Sequence, residues 1–97
     1  MLGVIVTKVH QLLRDRAVVA VRRDGVLVIP ADFFDGGEVV RGLSGTITLL
    51  TDAGFSDDEI IDWLYAPDTG GGDGTAMADL RAGRVKDVHR RAQIAGF

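Results

Sequence analysis

Residues 6 to 30 read VTKVHQLLRDRAVVAVRRDGVLVIP, and the way this stretch divides decides the fold. Val6, Val9, Leu12 and Leu13 follow the spacing of one apolar helix face. Thr7, His10, Gln11 and Arg14 stand at i, i+3, i+4 and i+7, so they share a second, wholly polar face. Two β-branched runs follow, Val18 to Arg23 and Val26 to Ile29, separated by Asp24-Gly25. That dipeptide accepts the positive φ angles of a type I′ turn and predicts a tight hairpin. A two-residue loop sets Arg23 opposite Val26 and Arg22 opposite Leu27, so the two arginines project from opposite faces near the tip. Pro30 ends the second strand.

Beyond this head, Asp35-Gly36-Gly37 is the best candidate boundary. Val40, Leu43, Ile47 and Leu50 then mark a second amphipathic helix, stopped at Gly54 with Phe55 folding back onto its last turn. Gly45 inside it costs about 1 kcal/mol against alanine and leaves room for another element to pack closely. Ser56-Asp57-Asp58-Glu59 is a capping box opening a helix with Ile60, Ile61 and Leu64 on its apolar face and Trp63 beside it. Pro67 closes that helix, and Asp68 to Gly74 reads as a flexible glycine-rich loop. Thr75 caps a short turn through Leu80, Gly83 interrupts, and Arg84 to Ala95 forms a last helix around Val85, Val88 and Ala92.

Ninety-seven residues suffice for one domain, or two very small ones sharing a core. With 46% apolar and 26% charged residues the composition is that of an ordinary globular chain. No apolar run approaches the ~20 residues that span a bilayer, and no basic leader precedes a long apolar run, so neither membrane insertion nor export is expected. The absence of cysteine excludes disulfides and thiolate metal sites and fits a reducing cytoplasm. The net charge of −3 argues mildly against a nucleic-acid binder, but its distribution does not. Residues 1 to 34 balance at +2, residues 35 to 66 at −6 and residues 67 to 97 at +1. A mildly basic head thus precedes an acidic middle.

The polar helix face and the hairpin tip carry the chemistry. Gln11 can pair bidentately with adenine, and Arg14 with guanine or a phosphate. Thr7 and Lys8 at the helix start suit phosphate contacts, and Arg22 and Arg23 could enter a minor groove or grip the backbone. A helix whose polar face is merely solvated would show the same pattern. Asp57, Asp58, Glu59 and Asp62 read as helix capping rather than a metal or acid/base site. Gly70 to Gly74 lacks the lysine and Ser/Thr of a phosphate-binding loop. His10 and His89 have no metal-ligand partner at i±4, and His89 is expected on a solvated basic face. Arg84, Lys86, Arg90 and Arg91 fit either a second phosphate-binding stripe or a solvated helix surface. Ser44 and Ser56 have no local base, and no catalytic constellation assembles, so an enzyme is not expected. No cofactor is implied.

Residues 2 to 34 resemble the winged helix-turn-helix domains of the MerR and excisionase type, in Leu2-Gly3-Val4, Thr7-Lys8-Val9-His10, Leu12-Leu13-Arg14 and Ile29-Pro30-Ala31-Asp32. The remainder resembles the C-terminal part of a family of small actinobacterial winged-helix DNA-binding regulators, in Leu43-Ser44-Gly45-Thr46, Gly54-Phe55-Ser56-Asp57-Asp58-Glu59 and Trp63-Leu64. Trp63-Leu64, Pro67, Asp79-Leu80, Gly83 and Val88 are more distantly similar to the toxin-binding domain of Xre-type antitoxins. Domains of the first type begin with a helix ending in the Leu-Gly that stands here at positions 2 and 3. The head is therefore expected to lack its first helix, leaving Val9, Leu12 and Leu13 in need of another cover.

The expected fold is mainly α with one β-hairpin: a truncated winged helix-turn-helix (residues 1–34) on a small C-terminal helical bundle (residues 38–97). The expected function is binding of double-stranded DNA in transcription regulation by a cytoplasmic, nucleoid-associated protein. The residues expected at the DNA are Thr7, Lys8, His10, Gln11, Arg14, Arg22 and Arg23. The acidic C-terminal part is expected to mediate dimerisation or hold a protein partner, and to keep negative surface away from the duplex. The alternative is an antitoxin-like interaction module that does not itself bind DNA.

Overall fold

The computed structural model describes residues 6–67 and 74–95, and of residues 6–9 it describes the backbone only. The first element is helix α1, Val6–Arg14, as the apolar spacing predicts. It stops at Arg16, whose φ of 60° is left-handed. The Ala17 amide donates to the Leu12 carbonyl (2.9 Å) and the Arg16 amide to the Leu13 carbonyl (3.2 Å), the paired closure of a Schellman motif. Glycine usually fills that position, because an L side chain there costs about 1 kcal/mol. Arg16 offsets the cost with its guanidinium, which meets the Asp57 carboxylate at 2.8 Å and the Thr51 hydroxyl at 3.1 Å. Leu12 and Leu13 are half-buried against the common core.

The chain next passes through Val18 and Val19, both buried, into β1 (Val21–Arg23), which pairs antiparallel with β2 (Val26–Val28). The register is the one the two-residue turn predicts: Val21 with Val28, Arg22 with Leu27, Arg23 with Val26. Asp24 (φ 51°) and Gly25 (φ 80°) supply the two positive φ angles of the turn. The strands are shorter than the β-branched runs. Val18, Val19 and Ile29 are drawn into the core instead of extending the ladder.

Pro30 starts a 3₁₀ turn, Ala31–Phe33, that buries Phe33. A second hairpin follows, β3 (Phe34–Asp35) against β4 (Glu38–Val39), which no alternation in the sequence marks. The candidate boundary Asp35-Gly36-Gly37 is thus itself structured, with Gly36 (φ 61°) and Gly37 (φ 87°) forming the hairpin turn. Past the hairpin, the Val40 amide donates to the Phe33 carbonyl at 2.8 Å, and both side chains are buried.

The second amphipathic helix begins later than its apolar spacing suggests. Gly42 adopts φ 86°, so Val40 lies outside α2 (Leu43–Asp52). Its far end is a Schellman motif through Gly54, as expected, with the Phe55 amide on the Leu50 carbonyl at 3.0 Å. Helix α3 (Asp57–Tyr65) opens with the complete capping box: the Glu59 amide donates to Ser56 Oγ (3.2 Å) and the Ser56 amide to Glu59 Oε1 (2.8 Å). Thr75 caps α4 (Ala76–Arg81) by accepting from the Ala78 amide, and Gly83 (φ 87°) ends it. Helix α5 (Val85–Ile94) closes the described chain. The glycine-rich segment 68–73 lies outside the described residues.

One core unites these elements. Val18, Val19, Ile29 and Phe33 from the first third join Leu43, Ile47, Leu50, Ile60, Leu64, Met77, Leu80 and Val88. Two polar links reinforce the junction. Arg81 donates to the carbonyls of Asp32 and Phe34, each at 2.9 Å, and the Tyr65 hydroxyl donates to Asp32 Oδ2 at 3.1 Å. Among the described residues, helices α2 and α5 pack against each other more extensively than any other helix pair. A Cβ on Gly45 would stand 2.9 Å from His89 Cε1, so the close approach foreseen at Gly45 is made by the imidazole. Among the described residues, no helix is long and apolar enough to cross a membrane.

Candidate nucleic-acid interface

The amphipathic pattern of α1 turns Leu12 and Leu13 toward the core and leaves His10, Gln11 and Arg14 exposed on the other side. Arg22 and Arg23 are exposed at the end of β1 next to the turn. None of these five side chains forms a hydrogen bond or ion pair among the described residues. A donor with no protein partner is available to an external acceptor. The side chains of Thr7 and Lys8 lie outside the described residues.

The hairpin rests on α3, and this creates a feature that the sequence did not reveal. Val21, Arg22 and Arg23 line an open groove of about 250 Å³ together with Asp58, Ile61 and Asp62. The expectation that the acidic middle stays away from the reading surface is corrected here. Ile61 is buried where α3 meets β1, and this brings the α3 carboxylates alongside the wing arginines. The other two acids of that run serve the fold. Asp57 pairs with Arg16, and Glu59 closes the capping box, where its bonds with the Ser56 backbone and side chain hold its pKa below the usual carboxylate value. Among the described residues, no three His, Cys, Asp or Glu side chains gather as a metal site.

Two expectations for the last helix also change. His89 is half-buried, not on a solvated face. Its Nε2 lies 2.9 Å from the Gly42 carbonyl, which can only accept, so Nε2 carries the hydrogen. Arg91 turns inward from the basic stripe to Asp79 and Asp87. The missing side chain at Gly45 makes room for the imidazole, and Asp79 at the base of α4 draws Arg91 in. Arg16 had no signal in the sequence, because arginine is not a residue that marks a left-handed helix stop.

Comparison with known proteins matches both parts of the chain. Residues 1–34 match a family described as "DNA-binding protein Rv2175c, wHTH domain", and residues 40–96 match one described as "Rv2175c C-terminal domain of unknown function". The chain is 42% identical over 109 aligned residues to the DNA-binding protein Rv2175c of Mycobacterium tuberculosis (strain ATCC 25618 / H37Rv), an alignment covering all of this chain and 75% of the relative. The NMR structure of Rv2175c superposes with a TM-score of 0.85 at 40% identity, covering 98% of this chain and 73% of that one.

Proposed function

The chain belongs to the Rv2175c family, and from that premise we propose that it binds double-stranded DNA as a transcription regulator. In this reading α1 lies in the major groove and the β1–β2 hairpin lies on the flanking backbone or in the adjacent minor groove, the docking of a winged helix-turn-helix. Gln11 and Arg14 read base edges, while Thr7, Lys8 and His10 set the helix on phosphates. Arg22 and Arg23 hold the flank. Residues 1–34 then serve as the reading part and residues 38–97 as its support. The observation that carries the proposal is the exposure of His10, Gln11, Arg14, Arg22 and Arg23 without protein partners among the described residues.

Asp58 and Asp62 beside the wing give this reading a specific electrostatic character. They repel a phosphate approaching from the α3 side and so restrict the wing to contact through its tip and opposite face. A second reading, an interaction module, is favoured by one observation: Val26, Leu27 and Val28 are all exposed. A contiguous apolar strand of this kind suits a protein partner or a second copy of the chain.

Titration of duplex DNA at several salt concentrations separates the two. Phosphate-driven binding weakens steeply with salt, and Arg22→Ala and Arg23→Ala should each lower the logarithmic slope by about 0.9. Gln11→Ala should relax sequence preference by about 1–3 kcal/mol at one base pair. Failure to bind any duplex at low salt, alongside a stable stoichiometric protein complex, would establish the second reading instead.

A further inference from the structure

The C-terminal helices carry a second basic surface, distinct from the head. Arg41, Gly83, Arg84, Val85, Lys86, Asp87 and Arg90 line an open groove of about 680 Å³. Four of these side chains are cationic and one is anionic, in a chain whose net charge is −3. Arg41 and Lys86 form no hydrogen bond or ion pair among the described residues. Arg84 and Arg90 have partners, Asp79 at 3.1 Å and Asp87 at 3.9 Å, yet remain 64% and 74% exposed. The Arg90–Asp87 pair is exposed on both sides and holds its cation weakly, while Arg84, hydrogen-bonded to the less exposed Asp79 through one nitrogen, keeps most of its guanidinium open to a further acceptor. The sequence stripe of Arg84, Lys86, Arg90 and Arg91 is thus re-formed in space, with Arg41 in the place of Arg91.

The groove lies at the opposite end of α2 from the head. Arg41 and Gly42 precede the first turn of α2, where Gly42 meets the Val85 side chain of α5. Arg16, just past the end of α1, binds Thr51 in the last turn of α2. The ten residues of α2 therefore separate the Arg16 anchor of the head from the groove by about 15 Å along the helix axis. Helix α3, which carries Asp57, Asp58, Glu59 and Asp62, packs on the β1 side of the molecule. Seated toward opposite ends of α2, the head and the groove present separate contact surfaces to duplex.

We propose that this groove binds the sugar–phosphate backbone of a second DNA duplex, so that one protein molecule bridges two segments. Guanidinium and ammonium groups around an open channel match a row of phosphates, and binding there is independent of base sequence. The acidic face of a second copy is a poorer occupant. Asp57 is already held by Arg16 and Glu59 by the capping box, and Asp58 and Asp62 face the wing arginines. The bridging role rests on the reading of the head as a DNA reader, but the groove's own contact with duplex does not.

The test uses the whole chain and two differently labelled duplexes of roughly one and a half helical turns, too short to wrap the protein. Immobilising one duplex and measuring capture of the other reports bridging, and fluorescence anisotropy reports binding to a single duplex. Lys86→Ala/Arg90→Ala should lower co-capture by about ten-fold while single-duplex binding through the head stays close to wild type. Arg41→Ala, on a different element, should move co-capture the same way, and circular dichroism should show all variants folded. Unchanged co-capture in both variants overturns the groove and leaves the head reading intact. Single-duplex binding that survives Arg22→Ala/Arg23→Ala but is lost in Lys86→Ala/Arg90→Ala supports the groove and overturns the head. Self-association that is lost in the groove variants, with duplex binding unaltered, overturns the proposal in favour of a second copy. No duplex binding by the wild type overturns both.

Discussion

The β1–β2 hairpin and the α2–α5 seam show how differently one short chain treats its side chains. In the hairpin, Val26, Leu27 and Val28 are 61%, 52% and 41% exposed, and Arg22 and Arg23 touch no partner among the described residues. In the seam, Leu43, Ile47, Leu50 and Val88 are fully buried. Its polar groups have internal uses there. Thr46 Oγ1 donates to the Gly42 carbonyl at 2.8 Å, and His89 reaches the same oxygen. The hairpin therefore contributes little to the stability of the fold and much to what the surface offers a ligand. The seam does the reverse, as the uneven distribution of stability within a domain leads one to expect.

Substitutions can break or sharpen this contrast. The largest effect should come from Ile47→Ala in the seam, which empties a fully buried position and should cost about 2–5 kcal/mol in urea denaturation. Leu27→Ala on the hairpin should change stability by under about 0.5 kcal/mol. Equal losses would mean that the hairpin is part of the cooperative core.

The glycines make a finer version of the test. Gly42→Ala combines a left-handed φ with a Cβ only 2.6 Å from Val85 Cγ1, and should destabilise by about 1–3 kcal/mol. At Gly25 the φ is also left-handed but nothing lies within 4 Å, so Gly25→Ala should cost only the backbone strain, about 1 kcal/mol. A third effect belongs to the capping box, where Ser56→Ala should cost about 1 kcal/mol. Because the folded-state pKa of Glu59 is depressed, its contribution is present above the unfolded carboxylate value and is lost as pH falls through the folded one.

The smallest effect is spectroscopic. Tyr65 is the single tyrosine, and its pKa is pushed up from 10.0 to about 12. Partial burial is the main cause, followed by the charge and hydrogen bond of Asp32, while Arg81 opposes both. The folded phenol keeps its proton longer than the unfolded one. Its stabilisation is therefore complete below pH 10 and is lost as pH rises through about 12. Phenolate absorbance should titrate with that raised midpoint, and Asp32→Asn should bring it back toward 10. A midpoint unchanged in that variant would show that the hydroxyl does not hold this junction.

Local signals were legible in the sequence wherever a residue type has one dominant use. Asp24-Gly25 gave the hairpin register, Gly54-Phe55 the end of α2, and Ser56 with Glu59 the start of α3. The second hairpin was hidden because each of its strands is two residues long, too short to show alternation, while Gly36-Gly37 suits a linker equally well. Partnerships distant in sequence were also hidden. Arg16 with Thr51, Tyr65 with Asp32 and His89 with Gly42 join residues 33 to 47 positions apart. Basic neighbours made His89 look like surface, and only the absence of a side chain at Gly45 gives it a pocket. For the candidate interface, exposure of Gln11 and Arg14 follows from the opposite apolar face of α1. The nearness of Asp58 and Asp62 to the wing depends on how α3 docks, and no periodicity encodes that.

The fit between Gly45 and His89 has an evolutionary consequence. With 2.9 Å between a hypothetical methyl and the imidazole, a side chain at 45 obliges the imidazole to shift. Descendants of this scaffold that acquire alanine or serine at 45 should carry a slimmer residue at 89. They would then surrender the donor that now serves the Gly42 oxygen, so the trade should leave a paired signature across orthologues.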